Sequence, residues 1–203
     1  MNQSMYDIPI KSIHGQEDML SSLKGQVTLF FPFASKAGYE PKCSRIWSYA
    51  RTARNLWELQ KLHDMFDNFS VVGIPTNQFW NMEPLSNEEI SKFIKDVYPF
   101  VTFPITEKVS INGDDEHPVC SHMKGYAKRL VDDTKAGTSL AAAQGQNLAG
   151  GAVQKIHAYY EKFIVGKDGR QMYRFRFSVK PLAETVETSE MDLTIIQAVQ
   201  SLL

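Results

Sequence analysis

The chain is short of cysteine, short of net charge and without a long apolar run, and each shortage removes a class of explanation. Its 203 residues include only two cysteines, Cys43 and Cys120. Two thiols are too few for a disulfide framework, and they do not have the spacing of a zinc site. No metal and no bound cofactor are therefore expected, and reduced thiols with the cytoplasm as default compartment are the starting point. The net charge of −1 gives no electrostatic reason to expect nucleic acid or an anionic membrane as partner. No apolar run reaches the roughly 18 residues of a membrane-crossing helix, so no transmembrane segment is expected. The opening MNQSMYDIPI has neither a basic region nor an apolar core, so no secretory or transit signal is read there, and an organelle stays open as destination.

What is present suits a globular domain. The hydrophobic fraction is 43%, enough in a chain of this length for one domain with a substantial core. SIHGQEDMLSSLKGQVTLFF reads as an N-terminal hairpin turning at His14-Gly15, followed by a strand from about Val27. From Ser44 to Phe66, apolar residues recur at i, i+3 and i+4, the pattern of an amphipathic helix. FSVVGIP is a β-branched run, expected to be a buried strand. Ser86 with Glu89 three residues on makes a capping box, opening a second helix. TFPITEKVSINGDDEHPV reads as a strand, a turn at Asn112-Gly113, and a helix from near Pro118. Residues 135–154 are rich in Ala, Gly and Gln and read as an insertion, placed at about 126–157. YEKFIVGKDGRQMYRFRF is a hairpin around Lys167-Asp168-Gly169, and the C-terminal residues 192–203 are helical in pattern. Strands separated by helices predict one α/β domain over residues 1–203, a mixed sheet covered on both faces.

Several of these stretches resemble the glutathione peroxidase family, which has a thioredoxin-like fold. FASKAGYEP is similar to the family's active-site turn, A-S-x-(Cys or selenocysteine)-G-x-T. IPTNQF with NMEPLSNEEI is similar to its second signature, and FPITEKVSINGDDEHPV to its V/I-N-G-x-x-x-H-P run. YEKFIVGKDGR is similar to its W-N-F-x-K-F-L-V-x-x-D-G stretch. The resemblance spans about 6–124 and 158–203. It implies a thiolate or selenolate attacking a peroxide, supported by the side chains of a Gln, a Trp and an Asn.

Carried over residue by residue, the resemblance puts the nucleophile at Ala37, the Gln at Gln78, the Trp at Ala158 and the Asn at Tyr159. Only Gln78 keeps its chemistry. Three losses together imply a degenerate member, working as a binding module or as a structural subunit of an assembly, with a protein partner or an oligomer. The alternative is an active hydroperoxide reductase in oxidative-stress defence. It would use Cys43, or a native Cys or selenocysteine at position 37, with glutathione or thioredoxin as reductant.

Other residues read more plainly. Cys43 precedes Ile46, Trp47 and Ala50 at helical spacing, which makes it a core residue first and a displaced nucleophile second. Cys120 reads as core, and His117 as part of a structural turn. His63, His122 and His157, with Lys124, Lys128 and Arg129, read as solvated faces. Trp80 is expected to cover the former pocket, and Arg174 and Arg176 to point outward from a half-exposed strand. The helix after SNEEI lacks the resolving cysteine of thioredoxin-dependent members.

Overall fold

A computed structural model describes residues 3–37, 49–131, 155–170, 172–183 and 194–203. Five strands form one mixed sheet. They are β1 (Val27–Phe33), β2 (Phe69–Pro75), β3 (Ala127–Val131), β4 (Lys162–Val165) and β5 (Met172–Phe175), in the spatial order β2-β1-β4-β5-β3. β1 runs parallel to β2 and antiparallel to β4; β5 is antiparallel to β4 and parallel to β3. Four helices are described: α1 (Tyr49–His63), α2 (Asn87–Val97), α3 (Pro118–Tyr126) and α4 (Ile195–Gln200).

The central strands are buried on both faces, as the unbroken apolar runs require. Alternate residues serve different cores. Leu29, Phe31 and Phe33 of β1 join Leu56, Leu59 and Leu62 of α1, Ile90 and Ile94 of α2, and Ile195 and Val199 of α4. Phe30, Val72, Ile74 and Phe163 face the other way, toward Met5, Tyr6 and Leu20 and toward Val119 and Met123 of α3. The sheet therefore carries helices on both sides. This is the thioredoxin-like α/β arrangement, and it brings the C-terminal ends of β1 and β2 together.

The predicted strands β1 and β2, the β4–β5 hairpin, the capping box and the helix from Pro118 are present. Ser86 accepts the Glu89 N–H while the Glu89 carboxylate accepts the Ser86 N–H. Thr194 and Gln197 make the same reciprocal pair at the start of α4.

Three expectations change. The N-terminal turn at His14-Gly15 forms and its arms bond at two points, Ser12 N–H to Gln16 O (2.8 Å) and Met19 N–H to Ile10 O (3.0 Å), but they make no strand ladder among the described residues. Lys11–Ile13 also bonds residues 105–107, through Ile13 N–H to Ile105 O (2.8 Å) and Glu107 N–H to Lys11 O (2.8 Å), and Met19–Leu23 is a 3-10 turn. The stretch read as a strand after Phe103 makes single bridges, to Ser12 and to Gly73, because Pro104 and the following turns interrupt the ladder. Ala127–Val131, counted with the insertion, is an edge strand. Residues 132–154 lie outside the described residues, as does the first part of the long predicted helix, 44–48.

Candidate functional site

β1 ends by delivering Ala34–Ala37 into a turn, closed by the Ala37 N–H donating to Ala34 O at 3.2 Å. β2 ends beside it, where the Thr76 N–H donates to Phe33 O at 3.1 Å. A third segment arrives from β4: the Tyr160 N–H donates to Pro32 O at 2.7 Å. The turn, the 76–83 loop and the 158–160 turn thus meet at one end of the sheet. Ala37, Ala158 and Tyr159 are all buried there, Ala37 completely. Thr52 of α1 donates its hydroxyl to Ala37 O at 2.6 Å, fixing the turn from the helix side.

Position 37 is a methyl group and offers no nucleophile. Tyr159 donates its hydroxyl to Phe79 O (2.8 Å) and lies near Thr76 O (3.2 Å), and its ring meets Phe79 edge-on at 5.0 Å. Tyr159 therefore ties the 76–79 segment to the 158–160 turn. Trp80 does not cover this region. It is 61% exposed, because Trp80 and Asn81 both take left-handed backbone (φ 54° and 52°) and turn the indole outward.

Gln78 is exposed, and its amide is fully engaged with backbone. Its Oε1 accepts the N–H groups of Ile111 and Asn112 at 2.8 and 2.9 Å, and its Nε2 donates to Asn112 O at 2.7 Å. Asn112 continues the chain of contacts, exchanging two 2.9 Å side-chain bonds with the Ile156 backbone. Gln78 is thus a clamp between the loop after β2, the Asn112 turn and the segment entering β4.

Sequence reasoning missed Glu83, the acid of the Glu-Pro pair in the second signature. It is completely buried and accepts the Ser35 N–H, while the Glu83 N–H donates to Asn77 Oδ1 at 2.8 Å. Burial holds its carboxyl above the ordinary value, against the pull of the Ser35 hydrogen bonds and the nearby charges of Lys108 and Lys36. Glu83 Oε1, the Thr76 hydroxyl and the Ser35 hydroxyl are buried with no partner of normal geometry; the Ser35 hydroxyl lies near the Glu83 carboxylate. Tyr98 reaches the same turn from α2, with its hydroxyl 3.4 Å from Ser35 O.

The thiols separate clearly. Cys120 is completely buried in the α3 core, where burial pushes its thiol up to about 12. It is a core residue, as expected. Cys43 lies outside the described residues. His117 caps α3, its Nδ1 accepting the Val119 N–H at 3.3 Å.

Several solvated-face expectations fail. Lys124 is buried and bonds Ile111 O at 3.2 Å and the Glu116 carboxylate. His63 accepts the Val71 N–H at 3.2 Å, and His122 contacts Gly169 O at 3.1 Å; burial pulls both imidazoles down. Arg174 points inward, pairing with Glu161 through Nε (2.9 Å) and Nη2 (2.6 Å). No cluster of metal-binding side chains is found among the described residues. Nor is any described helix long and apolar enough to cross a membrane.

A thioredoxin-like sheet with a short turn after its first strand and an Asn-Gln-Phe loop after its second is the architecture that the resemblance to the glutathione peroxidase family implied. The family model described as glutathione peroxidase matches residues 5–124. The chain belongs to the glutathione peroxidase family. It is 31% identical over 176 residues to the glutathione peroxidase-like peroxiredoxin gpx1 of Schizosaccharomyces pombe, covering 87% of this chain and 90% of that one. It is also 31% identical over 205 residues to glutathione peroxidase-like peroxiredoxin 2 of Saccharomyces cerevisiae, covering 100% and 99%. The thioredoxin/glutathione peroxidase BtuE of Escherichia coli is 29% identical, with 89% and 92% covered. Among solved structures, apo Trgpx superposes with a TM-score of 0.58 at 23% identity over 98% of this chain and 96% of that one, a likeness of fold.

Proposed function

We propose that the protein is a thiol-dependent hydroperoxide reductase whose attacking sulfur is Cys43 rather than position 37. The observation that carries this reading is the family match along the chain, with relatives named as peroxidases or peroxiredoxins aligned over 87% to 100% of it. The sulfur is assigned by elimination. Position 37 holds alanine, Cys120 is buried with its thiol pushed up, and Cys43 is the other cysteine. Its thiolate attacks one oxygen of the peroxide, the O–O bond breaks, and a sulfenic acid and an alcohol or water result. Two thiol equivalents then return the sulfenic acid to thiol, releasing water and forming a disulfide in the reductant. α2 has no cysteine to resolve the sulfenic acid internally, so glutathione or thioredoxin supplies both electrons and no bound cofactor is needed.

A second reading rests on a specific observation. Ala37 is inaccessible to solvent, and the Tyr159 hydroxyl is committed to backbone carbonyls. On that reading the scaffold serves without chemistry, as a binding module or as a subunit of an assembly. The segment 126–157 of a single domain over 1–203 then supplies added surface.

One experiment separates them. The purified protein is given hydrogen peroxide or cumene hydroperoxide with glutathione or with thioredoxin, and its intact mass is followed. The reductase reading expects turnover and one added oxygen on Cys43, both lost in Cys43→Ser and both kept in Cys120→Ala. Folded protein with no turnover and neither cysteine oxidised overturns it and selects the second reading.

A further inference from the structure

A cavity lies away from the position-37 turn. Its volume is about 660 Å³, and a neighbouring cavity of about 560 Å³ shares Ser12, Ile13, His14, Ser91 and Lys95 with it. Together they form a cleft between the 12–23 turns and α2, closed below by residues 99–105. None of Ala37, Gln78, Ala158 and Tyr159 lines it. The larger cavity falls within the size of small-ligand pockets, about 300–1,000 Å³.

Its walls are apolar in part, with Ser12, His14, Gln16, Ser22 and Ser91 between the apolar residues, and its floor is fixed. Ile13, Met19, Ile94, Phe103 and Ile105 line it, all of them core residues elsewhere along their surface. Gln60 of α1 holds the floor, accepting the Thr102 N–H at 2.8 Å and donating to the Thr102 hydroxyl at 2.9 Å. The cleft is therefore preformed, which lowers the ordering cost of filling it.

Its mouth has one lysine without an acidic partner among the described residues. Lys11 is paired with Glu17 at 2.7 Å, and Lys92 with Asp96. Glu107 accepts the Lys11 N–H at 3.2 Å, and the Glu88 carboxyl is held low by hydrogen bonds at the start of α2. Lys95, in the last turn of α2, has no acidic partner among the described residues and borders both cavities. His14 also borders both cavities.

We propose that this cleft binds an amphipathic carboxylate, its apolar part lying on Met19, Ile94 and Phe103 and its head at Lys95. The site is independent of any chemistry at Cys43 or position 37. Decanoate is the probe, titrated into ¹⁵N-labelled protein and read by amide shifts. Saturable shifts are expected at Ile13, Met19, Ile94, Lys95 and Phe103. Lys95→Met weakens binding about fivefold, the size of a partly exposed charge pair, and decanol binds the native protein more weakly by a similar factor. Ser91→Trp fills the cleft and abolishes the shifts while the circular dichroism spectrum stays native. Absence of saturable binding at millimolar decanoate overturns the proposal. So do shifts centred on the 34–37 turn, or affinity unchanged in both variants.

Discussion

Glu161 and Glu83 are two carboxylates that the fold removes from water and then treats in opposite ways. Glu161 has a full set of partners. It accepts two hydrogen bonds from the Arg174 guanidinium and one from the His157 N–H at 2.6 Å. Arg174 in turn donates to Lys155 O at 2.6 Å and lies 5.1 Å from the centre of the Phe163 ring. Glu83 has the Ser35 amide on one oxygen and no partner on the other. The first carboxylate fastens the segment that enters β4. The second sits under the Ala34–Ala37 turn, beside the Thr76 and Ser35 hydroxyls, which have no partner of normal geometry. Buried groups without partners need a reason. Here they collect under the turn that the resemblance matches to the family's reactive site, with alanine at position 37.

The largest effect should come from breaking the satisfied carboxylate. Glu161→Ala leaves the Arg174 charge buried without its counter-ion, and the expected loss is about 3–5 kcal/mol in urea unfolding. Replacing the pair together, with Glu161→Leu and Arg174→Met, should recover part of that loss, because neither charge is then stranded. A single variant as stable as the native chain would show that solvent reaches the pair, and the contrast with Glu83 would collapse.

Gln78 tests the intermediate case, satisfied but exposed. Gln78→Ala removes three hydrogen bonds to the Ile111–Asn112 backbone, but water can replace them at the surface. The expected loss is about 1 kcal/mol in the same measurement. A much larger loss would mean that the clamp through Asn112 to Ile156 acts as one unit. If Gln78 instead supports Cys43 chemistry, peroxide turnover falls further than stability does.

How much of this was legible in the sequence follows the range of the forces involved. β1, β2, the β4–β5 hairpin and the capping box at Ser86 are written in short patterns, and they appear where those patterns put them. The edge strand β3 is not, because its pairing with β5 is a long-range event in a segment whose composition suggested none. Arg174 looked outward-facing because strand alternation was read as apolar in and polar out. Its guanidinium is inside because Glu161 is there to meet it, a pairing 13 residues apart that periodicity cannot show. Trp80 was misplaced for the reverse reason: hydrophobicity says what a side chain prefers, while two left-handed residues decide where this one points. For the site, the family motifs put forward Ala37, Gln78, Ala158 and Tyr159. Glu83 stood inside one of those motifs, and only its burial reveals its part.

The smallest expected effect is the most specific to the unsatisfied carboxylate. Burial raises the Glu83 carboxyl above its ordinary value of 4.5, so the folded chain keeps a proton that the unfolded chain has released. Its contribution is therefore most favourable below that ordinary value and is lost as pH rises through the higher, folded value. Histidines pulled down by burial, such as His63 and His117, act in the opposite sense, favouring the fold as pH rises toward 6.5. Glu83→Gln removes the carboxyl alone and leaves the histidines in place. Comparing urea midpoints of native and variant chains from about pH 4 to 8 should then show the variant gaining with pH before the difference levels off. A difference that stays flat would mean that Glu83 titrates as an ordinary carboxylate, and that its second oxygen has a partner after all.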